Sequence, residues 1–242
     1  MDALGLMEAQ AAAWGLRLCH DRRGHLQEYA RLLASYDIAN VIGTRDVHGI
    51  LIDHVLDSLS CFLHEPLIRA RRLADVGSGG GLPGIPIEIL RPELDMTLVE
   101  SSGKKAKFLR HAVDGLTLKG VEVANTRVED LGRAGGHRGA YDVVTCRAVS
   151  RLSVVAEYSV PLLERGGFAI AMKGRLEPEE LAEAKRAVDA LGAKVAEAKR
   201  VPMLVEVGEK ARNLVILEKI RETPPQYPRR SGIVAKRPLG VR

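Results

Sequence analysis

The chain has 242 residues, 46% of them apolar and 4% aromatic, with a formal net charge of +5. That length suits one core domain plus an appendage, and the scarcity of aromatics argues against a base-stacking platform. No apolar run approaches the length of a membrane span. Asp2 and Glu8 precede the first apolar stretch and no basic n-region is present, so the start does not read as a secretory leader. Cys19, Cys61 and Cys146 are an odd, scattered set with neither metal nor disulfide spacing. The expectation is a reduced, cytoplasmic protein without a metal.

In chain order, residues 1–36 read as helical: 9–18 favours helix, and Leu26, Tyr29, Ala30 and Leu33 recur at helical spacing. A broken polar stretch follows over 37–48. Ile50, Leu51, Val55, Leu56, Leu59 and Leu63 then mark a third helix, ended by Pro66. Within it His54, Asp57 and Ser58 share one face, and taken alone the histidine reads as a hydrogen-bonded packing residue. Residues 1–70 are thus an N-terminal helical extension.

From Leu73 strands and helices alternate. Strands are expected at 73–76, 96–100, 121–125, 141–146, 168–173 and 213–218, and helices at 86–91, 104–115, 151–164 and 177–191. Such alternation predicts an α/β fold with a doubly wound, mostly parallel sheet over 71–220, its ligand crevice at the carboxyl ends of the strands. Gly166-Gly167 reads as a helix stop. Residues 221–242 are basic and Pro-rich, with Pro224, Pro225, Pro228 and Pro238, and are expected to form an extended tail without a core of its own. Within 219–242 stand Lys219, Arg221, Arg229, Arg230, Lys236, Arg237 and Arg242 against Glu222 alone. The segment carries +6 and leaves −1 for the remainder, which points to an anionic partner, nucleic acid foremost.

The stretch that organises the domain is LADVGSGGGLPG, residues 73–84. An apolar strand runs into a glycine loop and then a helix start, the layout that lets a nucleotide-like ligand touch backbone. Glu100 ends the second strand about twenty residues past the loop, where an acid accepts from ribose hydroxyls. That spacing serves NAD and S-adenosylmethionine (AdoMet) equally. Two features separate them: Leu82 stands where the dinucleotide fingerprint wants glycine, and Asp75 before the loop suits the ammonium and sulfonium of AdoMet better than a pyrophosphate. No G-K-[ST] closes the run, so a P-loop is excluded. After the third strand, Glu129 either accepts from an adenine amino group or, with Asp130, caps a helix. The fourth strand ends Thr145-Cys146-Arg147-Ala148 without an N-P-P-Y element or a P-C dipeptide, which leaves a cofactor site and no obvious general base.

Together these motifs resemble the RsmG (GidB) family of bacterial 16S rRNA guanine-N7 methyltransferases. The resemblance spans about 40–239: Asn40, Arg45-Asp46, His54-x-Leu56-Asp57-Ser58, the loop through Ile85-Pro86, Arg91-Pro92-Glu93, Lys104-Lys105, Val128-Glu129, Cys146-Arg147-Ala148, Ala171-Met172-Lys173-Gly174 and the Tyr227-Pro228-Arg229-Arg230 tail. It implies a Rossmann-like class I fold, AdoMet as cofactor, and the small ribosomal subunit's 16S rRNA as partner, methylated at guanine position 527. It places cofactor contacts on Gly77, Leu82, Glu100, Ser101, Ser102, Val128, Glu129 and Arg147. The chain departs from the pattern at Ile42, Asp53 and Ser231; Asp53 stands where the family has a cation. The implied chemistry fits the missing base. Guanine N7 has an in-plane lone pair and no proton, so positioning and electrostatics suffice. Arg147 and Lys173 are the expected groups near the reacting centre, holding phosphate or guanine O6. The rival reading is a non-enzymatic RNA- or ribosome-binding protein that keeps a nucleotide-binding fold.

Overall fold

The computed structural model describes residues 2–147, 150–208 and 210–241; Ala148 of the Cys-Arg-Ala motif and Arg242 of the tail lie outside them. Helix α1 (Ala3–Ala13) is N-capped by Asp2, whose carboxylate accepts from Gly5 N at 2.8 Å. Helix α2 (His20–Ser35) buries Leu26, Tyr29, Ala30 and Leu33, one stripe at helical spacing. The third helical run is not one helix. It is α-helical over Val47–Ile50, π-helical over Leu51–Leu56, α-helical again over Asp57–Leu59 and 3-10 over Ser60–Leu63.

Seven strands follow: β1 (Arg72–Val76), β2 (Asp95–Val99), β3 (Val121–Ala124), β4 (Tyr141–Arg147), β5 (Leu163–Lys173), β6 (Ala193–Arg200) and β7 (Asn213–Lys219). They form one sheet in the order β3-β2-β1-β4-β5-β7-β6. Neighbours from β3 to β5 are parallel, and β7 runs antiparallel to both β5 and β6. The order reverses between β1 and β4, so the crevice for a ligand opens at their carboxyl ends. There Val76 stands level with Val99 on one side and Cys146 on the other. This is the doubly wound, mostly parallel α/β sheet that the alternation of elements predicts.

Strand alternation sorts side chains into two layers. Leu73, Met96, Leu98, Val143, Ile170 and Ile216 point to the face covered by the N-terminal helices and by the helix Gly84–Leu90. Ala74, Val76, Val99, Val144, Ala169 and Val215 face the helices Leu152–Ser159 and Pro178–Leu191. The N-terminal helices therefore share the core of the sheet. Leu26 and Leu33 are completely or almost completely buried there, each worth roughly 1.5–3 kcal/mol of hydrophobic stabilisation.

Two expectations need correction. The helix expected over 151–164 stops at Ser159, and Leu163 already begins β5, paired with Tyr141. Gly166-Gly167 sits inside that strand: Gly166 has φ +86°, and a Cβ on Gly167 would lie 2.9 Å from the Tyr141 and Asp142 carbonyls. Strand β6, AKVAEAKR, was not expected, because its Ala, Lys and Glu content favours helix. Its alternating charges suit an edge strand in water, and Gly192, left-handed at φ +86°, ends the preceding helix and turns the chain into it.

The tail is extended but not loose. It carries one short helix, Ile233–Lys236, yet it is fastened along its length. Arg138 donates to the carbonyls of Thr223 and Tyr227, and Arg133 to that of Pro228. Arg229 grips the fully buried Glu157, with Nη2–Oε2 at 2.6 Å and Nε–Oε1 at 2.9 Å. Lys219 is buried against the Leu163 carbonyl at 2.7 Å, and Arg221 pairs with Asp189 at 2.8 Å. Much of the +6 is thereby spent internally; Arg230, Lys236 and Arg237 remain exposed. No helix among the described residues is long and apolar enough to cross a membrane.

Candidate active site

The glycine loop between β1 and the helix Gly84–Leu90 is held on the face of the sheet that the N-terminal helices cover. Gly84 packs so closely that a Cβ there would lie 2.5 Å from Leu98 Cδ2 and 3.0 Å from Asp75, and Gly81 takes φ +89°. From the helical layer, the Tyr29 hydroxyl donates to the Gly80 carbonyl at 2.5 Å. Asp75 does not face a ligand, as its place in the sequence suggests. It is completely buried, its Oδ2 accepting from Gly84 N at 3.2 Å and its Oδ1 from Thr145 Oγ1 at 2.9 Å. Burial pushes this carboxyl up to about 6, against the lowering effect of those hydrogen bonds. Asp75 is the rivet joining β1, β4 and the loop.

On the β2 side the chain forms a recess of about 160 Å³ lined by Gly77, Glu100, Ser101, Val128, Glu129 and Tyr158, among others. Glu100 accepts from Gly79 N at 3.0 Å and from Ser102 N at 2.7 Å, which fixes its carboxylate against the loop. Each oxygen keeps a lone pair for a further donor. Glu129 caps no helix; the cap position belongs to Arg127, without a side-chain bond. Its Oε1 instead lies 3.4 Å from Gly232 N of the tail. Leu82 and Ser102 are not in the lining: Leu82 packs on the core, and Ser102 acts on the recess through its N–H to Glu100. Thr126, Arg127 and Tyr158 line the recess although sequence reasoning did not single them out; Tyr158 comes from the other side of the sheet order, with no local signal. Burial pushes its phenol up to about 12.

Across the switch point, a larger recess of about 430 Å³ opens between the third helical run and the ends of β4, β5 and β7. Arg147 and Lys173 both line it, apart from the smaller recess. Arg147 is heavily engaged. Its Nη1 donates to the His54 carbonyl and its Nη2 to the Asp53 carbonyl, each at 3.1 Å, and Nη2 lies 2.6 Å from His54 Nδ1. Its Nε stands 3.5 Å from Asp57 Oδ2. The π-helical turn explains this: its i→i+5 pattern displaces carbonyls from the usual ladder, and β4 supplies the donor that takes them. The His54-x-x-Asp57-Ser58 pattern is the other half of the clamp, with Ser58 Oγ donating to the His54 carbonyl at 2.7 Å. Lys173 Nζ pairs with Glu180 at 2.8 Å and donates to the Ser150 carbonyl at 3.2 Å.

Arg212 and Lys210 complete the wall, and no sequence signal marked them. Arg212 reaches Asp57 at 3.2 Å and Asp53 at 3.3 Å, and Lys210 reaches Asp53 at 2.7 Å. Asp53 thus has cationic partners within this chain. Arg147, Lys173, Lys210 and Arg212 against Asp53, Asp57 and the Glu180 that holds Lys173 leave a net charge of +1 when His54 is neutral, suited to an electron-rich or anionic group. No free base stands there: both Asp57 oxygens face arginines, and the His54 Nδ1 lone pair lies 2.6 Å from Arg147 Nη2. Among the described residues no three His, Cys, Asp or Glu side chains gather as a metal-ligand set.

The family model for rRNA small subunit methyltransferase G matches residues 22–215. A ribosomal RNA small subunit methyltransferase G of Rubrobacter xylanophilus is 55% identical over 231 residues, 95% of this chain and 88% of that protein. The protein of the same name from Chloroflexus aggregans is 41% identical, covering 97% of each chain. Among solved structures, a mutant 16S rRNA (adenine(1408)-N(1))-methyltransferase from Catenulisporales acidiphilia superposes with a TM-score of 0.52 at 16% identity, over 68% of this chain and 93% of that one. Geranyl diphosphate methyltransferase in complex with SAM gives 0.52 at 13% identity, over 68% and 85%. At such identities these two likenesses speak for the class I methyltransferase fold alone.

Proposed function

The chain belongs to the rRNA small subunit methyltransferase G family, and from that premise we propose that it methylates N7 of a single guanine in 16S rRNA, using AdoMet. When bound, AdoMet supplies an electrophilic methyl group on a sulfonium. The β2-side recess fits it: Glu100 offers spare lone pairs to ribose hydroxyls, and Gly77, Ser101, Val128 and Glu129 line space suited to an adenosine. Leu82, Ser102 and Arg147 would act from its margin. The guanine enters the larger recess, whose wall is built by Arg147, Lys173, Arg212 and Asp57.

The observation that carries this reading is the spent polar chemistry of that recess. Its carboxylates are paired with cations, the lone pair of its imidazole accepts from Arg147, and the nearby Cys146 is buried in the core of the other layer, so nothing is poised to remove a proton or attack a base. Methylation of an exocyclic amine, or of cytosine C5 through a covalent adduct, calls for such groups. N7 calls only for alignment, and preorganised positioning can lower a barrier by roughly 7–11 kcal/mol. The base must be splayed from its stack to reach the recess. The test is to incubate the protein with small ribosomal subunits and labelled AdoMet and to map the methyl. N7 methylation makes the glycosidic bond labile to reduction and aniline. Scission at one guanine is expected only when protein and AdoMet are both present; label on an amino group, a ribose or a cytosine would overturn the assignment.

A further inference from the structure

Building on that reading, we propose that His54 reads the target base, its Nε2–H donating to the C6 carbonyl of guanine, and so sets the preference for guanine over adenine. The ring's state follows from its neighbour. A guanidinium carries only donors, so His54 Nδ1, 2.6 Å from Arg147 Nη2, must accept. The neutral ring then carries its proton on Nε2. Burial and the Arg147 charge hold the imidazole down to about 4, so this tautomer persists at neutral pH.

What singles out His54 is that the other donors of the recess are committed. Arg147 serves two carbonyls, the His54 ring and Asp57; Arg212 is held by Asp53 and Asp57; Lys173 is tied to Glu180 and the Ser150 carbonyl; Lys210 pairs with Asp53, and the Asn213 amide donates to the Gly174 carbonyl. Among the described residues nothing bonds His54 Nε2, and the ring lines the recess. A volume of about 430 Å³ lies within the usual range of small-ligand sites, about 300–1,000 Å³. Met172, Val201 and Leu214 supply apolar surface for a base. The place is right as well. Cys146 is level with Val76, so Arg147 stands beside Gly77, where the glycine loop begins.

The chemistry discriminates the two purines. Guanine presents an acceptor at C6 and adenine an amino donor, so one fixed N–H rewards the first and repels the second. A single donor aimed at O6 also leaves the N7 lone pair free, which a donor placed on N7 would block.

The test separates reading from positioning. His54→Asn keeps an oxygen near the Nδ1 position to accept from Arg147 but lacks the outer donor; His54→Gln restores a donor near Nε2. Small subunits are reconstituted with 16S rRNA carrying guanine or 2-aminopurine, which lacks the C6 oxygen, at the target position. Wild-type kcat/KM is expected to fall about tenfold or more on removing the oxygen, the scale of one hydrogen bond. His54→Asn should act on both bases at similar, reduced rates, with AdoMet affinity within about twofold of wild type, and His54→Gln should recover part of the discrimination. If wild type and His54→Asn lose the same factor, His54 does not read the base. No transfer by the wild type to the guanine-bearing subunit would instead defeat the functional reading, and this inference with it.

Discussion

The two recesses flanking β1 are built on opposite plans. The smaller, on the β2 side, offers backbone and two carboxylates, Glu100 and Glu129, of which Glu100 is fixed within its own stretch of chain by Gly79 and Ser102. The larger, on the β4 side, is walled by charges that neutralise one another across about ninety residues or more, Arg147 on Asp57 and Arg212 on Asp53. A local site can hold a cofactor common to many folds. A site assembled from distant segments can be shaped for one substrate. Asp75 joins the two, bonded to the loop through Gly84 and to β4 through Thr145.

The largest effect is expected where the larger recess is clamped. Arg147→Ala strips the Asp53 carbonyl of its side-chain donor, leaves the His54 carbonyl to Ser58, and leaves the buried Asp57 with Arg212 alone. Breaking a buried pair in this way costs about 3–5 kcal/mol, to be read as a lowered urea midpoint. A midpoint shifted by less than 1 kcal/mol would mean that the clamp is ornamental. Next comes the cofactor side. Glu100→Ala is expected to weaken AdoMet binding by about 1.5–3 kcal/mol in calorimetry, with the unfolding midpoint changed far less than in Arg147→Ala. Equal destabilisation in the two variants would erase the contrast between the recesses.

A subtler separation lies in pH. Burial raises the folded-state Asp75 carboxyl to about 6, so between roughly 4 and 6 the folded state binds the extra proton and stability falls as pH rises. His54 is depressed to about 4, so over about 4 to 6.5 the unfolded state binds the extra proton and stability falls as pH drops. Asp75→Asn and His54→Asn should therefore tilt the profile of stability against pH in opposite directions. Parallel tilts would show that at least one group is not held as described. The smallest effect belongs to the tail. Reversing Arg230, Lys236 and Arg237 to Glu should reduce the salt dependence of RNA binding and leave AdoMet affinity unchanged, since these side chains are exposed and Arg229 is not free to take part. An unaltered salt slope would place the phosphate contacts elsewhere.

The difference between the recesses also decided what could be read from sequence. Gly77, Glu100 and Glu129 follow one another at strand ends, and that order, together with the family resemblance, brought them to one side of the sheet, although for Glu129 the sequence left a helix cap equally open. Asp75 was misjudged because its partner Thr145 lies 70 residues away, and only the parallel register of β1 and β4 reveals that it is buried. The role of His54 and Asp57 stayed hidden for the same reason: one helical face shows that they are neighbours, not that Arg147 of β4 reaches between them. Arg212 and Lys210 left no trace, since a basic residue just before a strand looks like any solvated charge. Strand β6 was missed because its composition favours helix, and its pairing with β7 outweighs that local preference. The tail's charge was countable, whereas its internal partner Glu157 was not.

The division of labour between the recesses is tested most directly by a crystal structure of the protein with AdoMet. The expected result is the cofactor's ribose within hydrogen-bonding distance of Glu100 and its adenine in the recess of Val128 and Glu129, with the cavity of His54, Asp57 and Arg212 left open beside it. Cofactor density in that larger cavity, with Glu100 untouched, would contradict it.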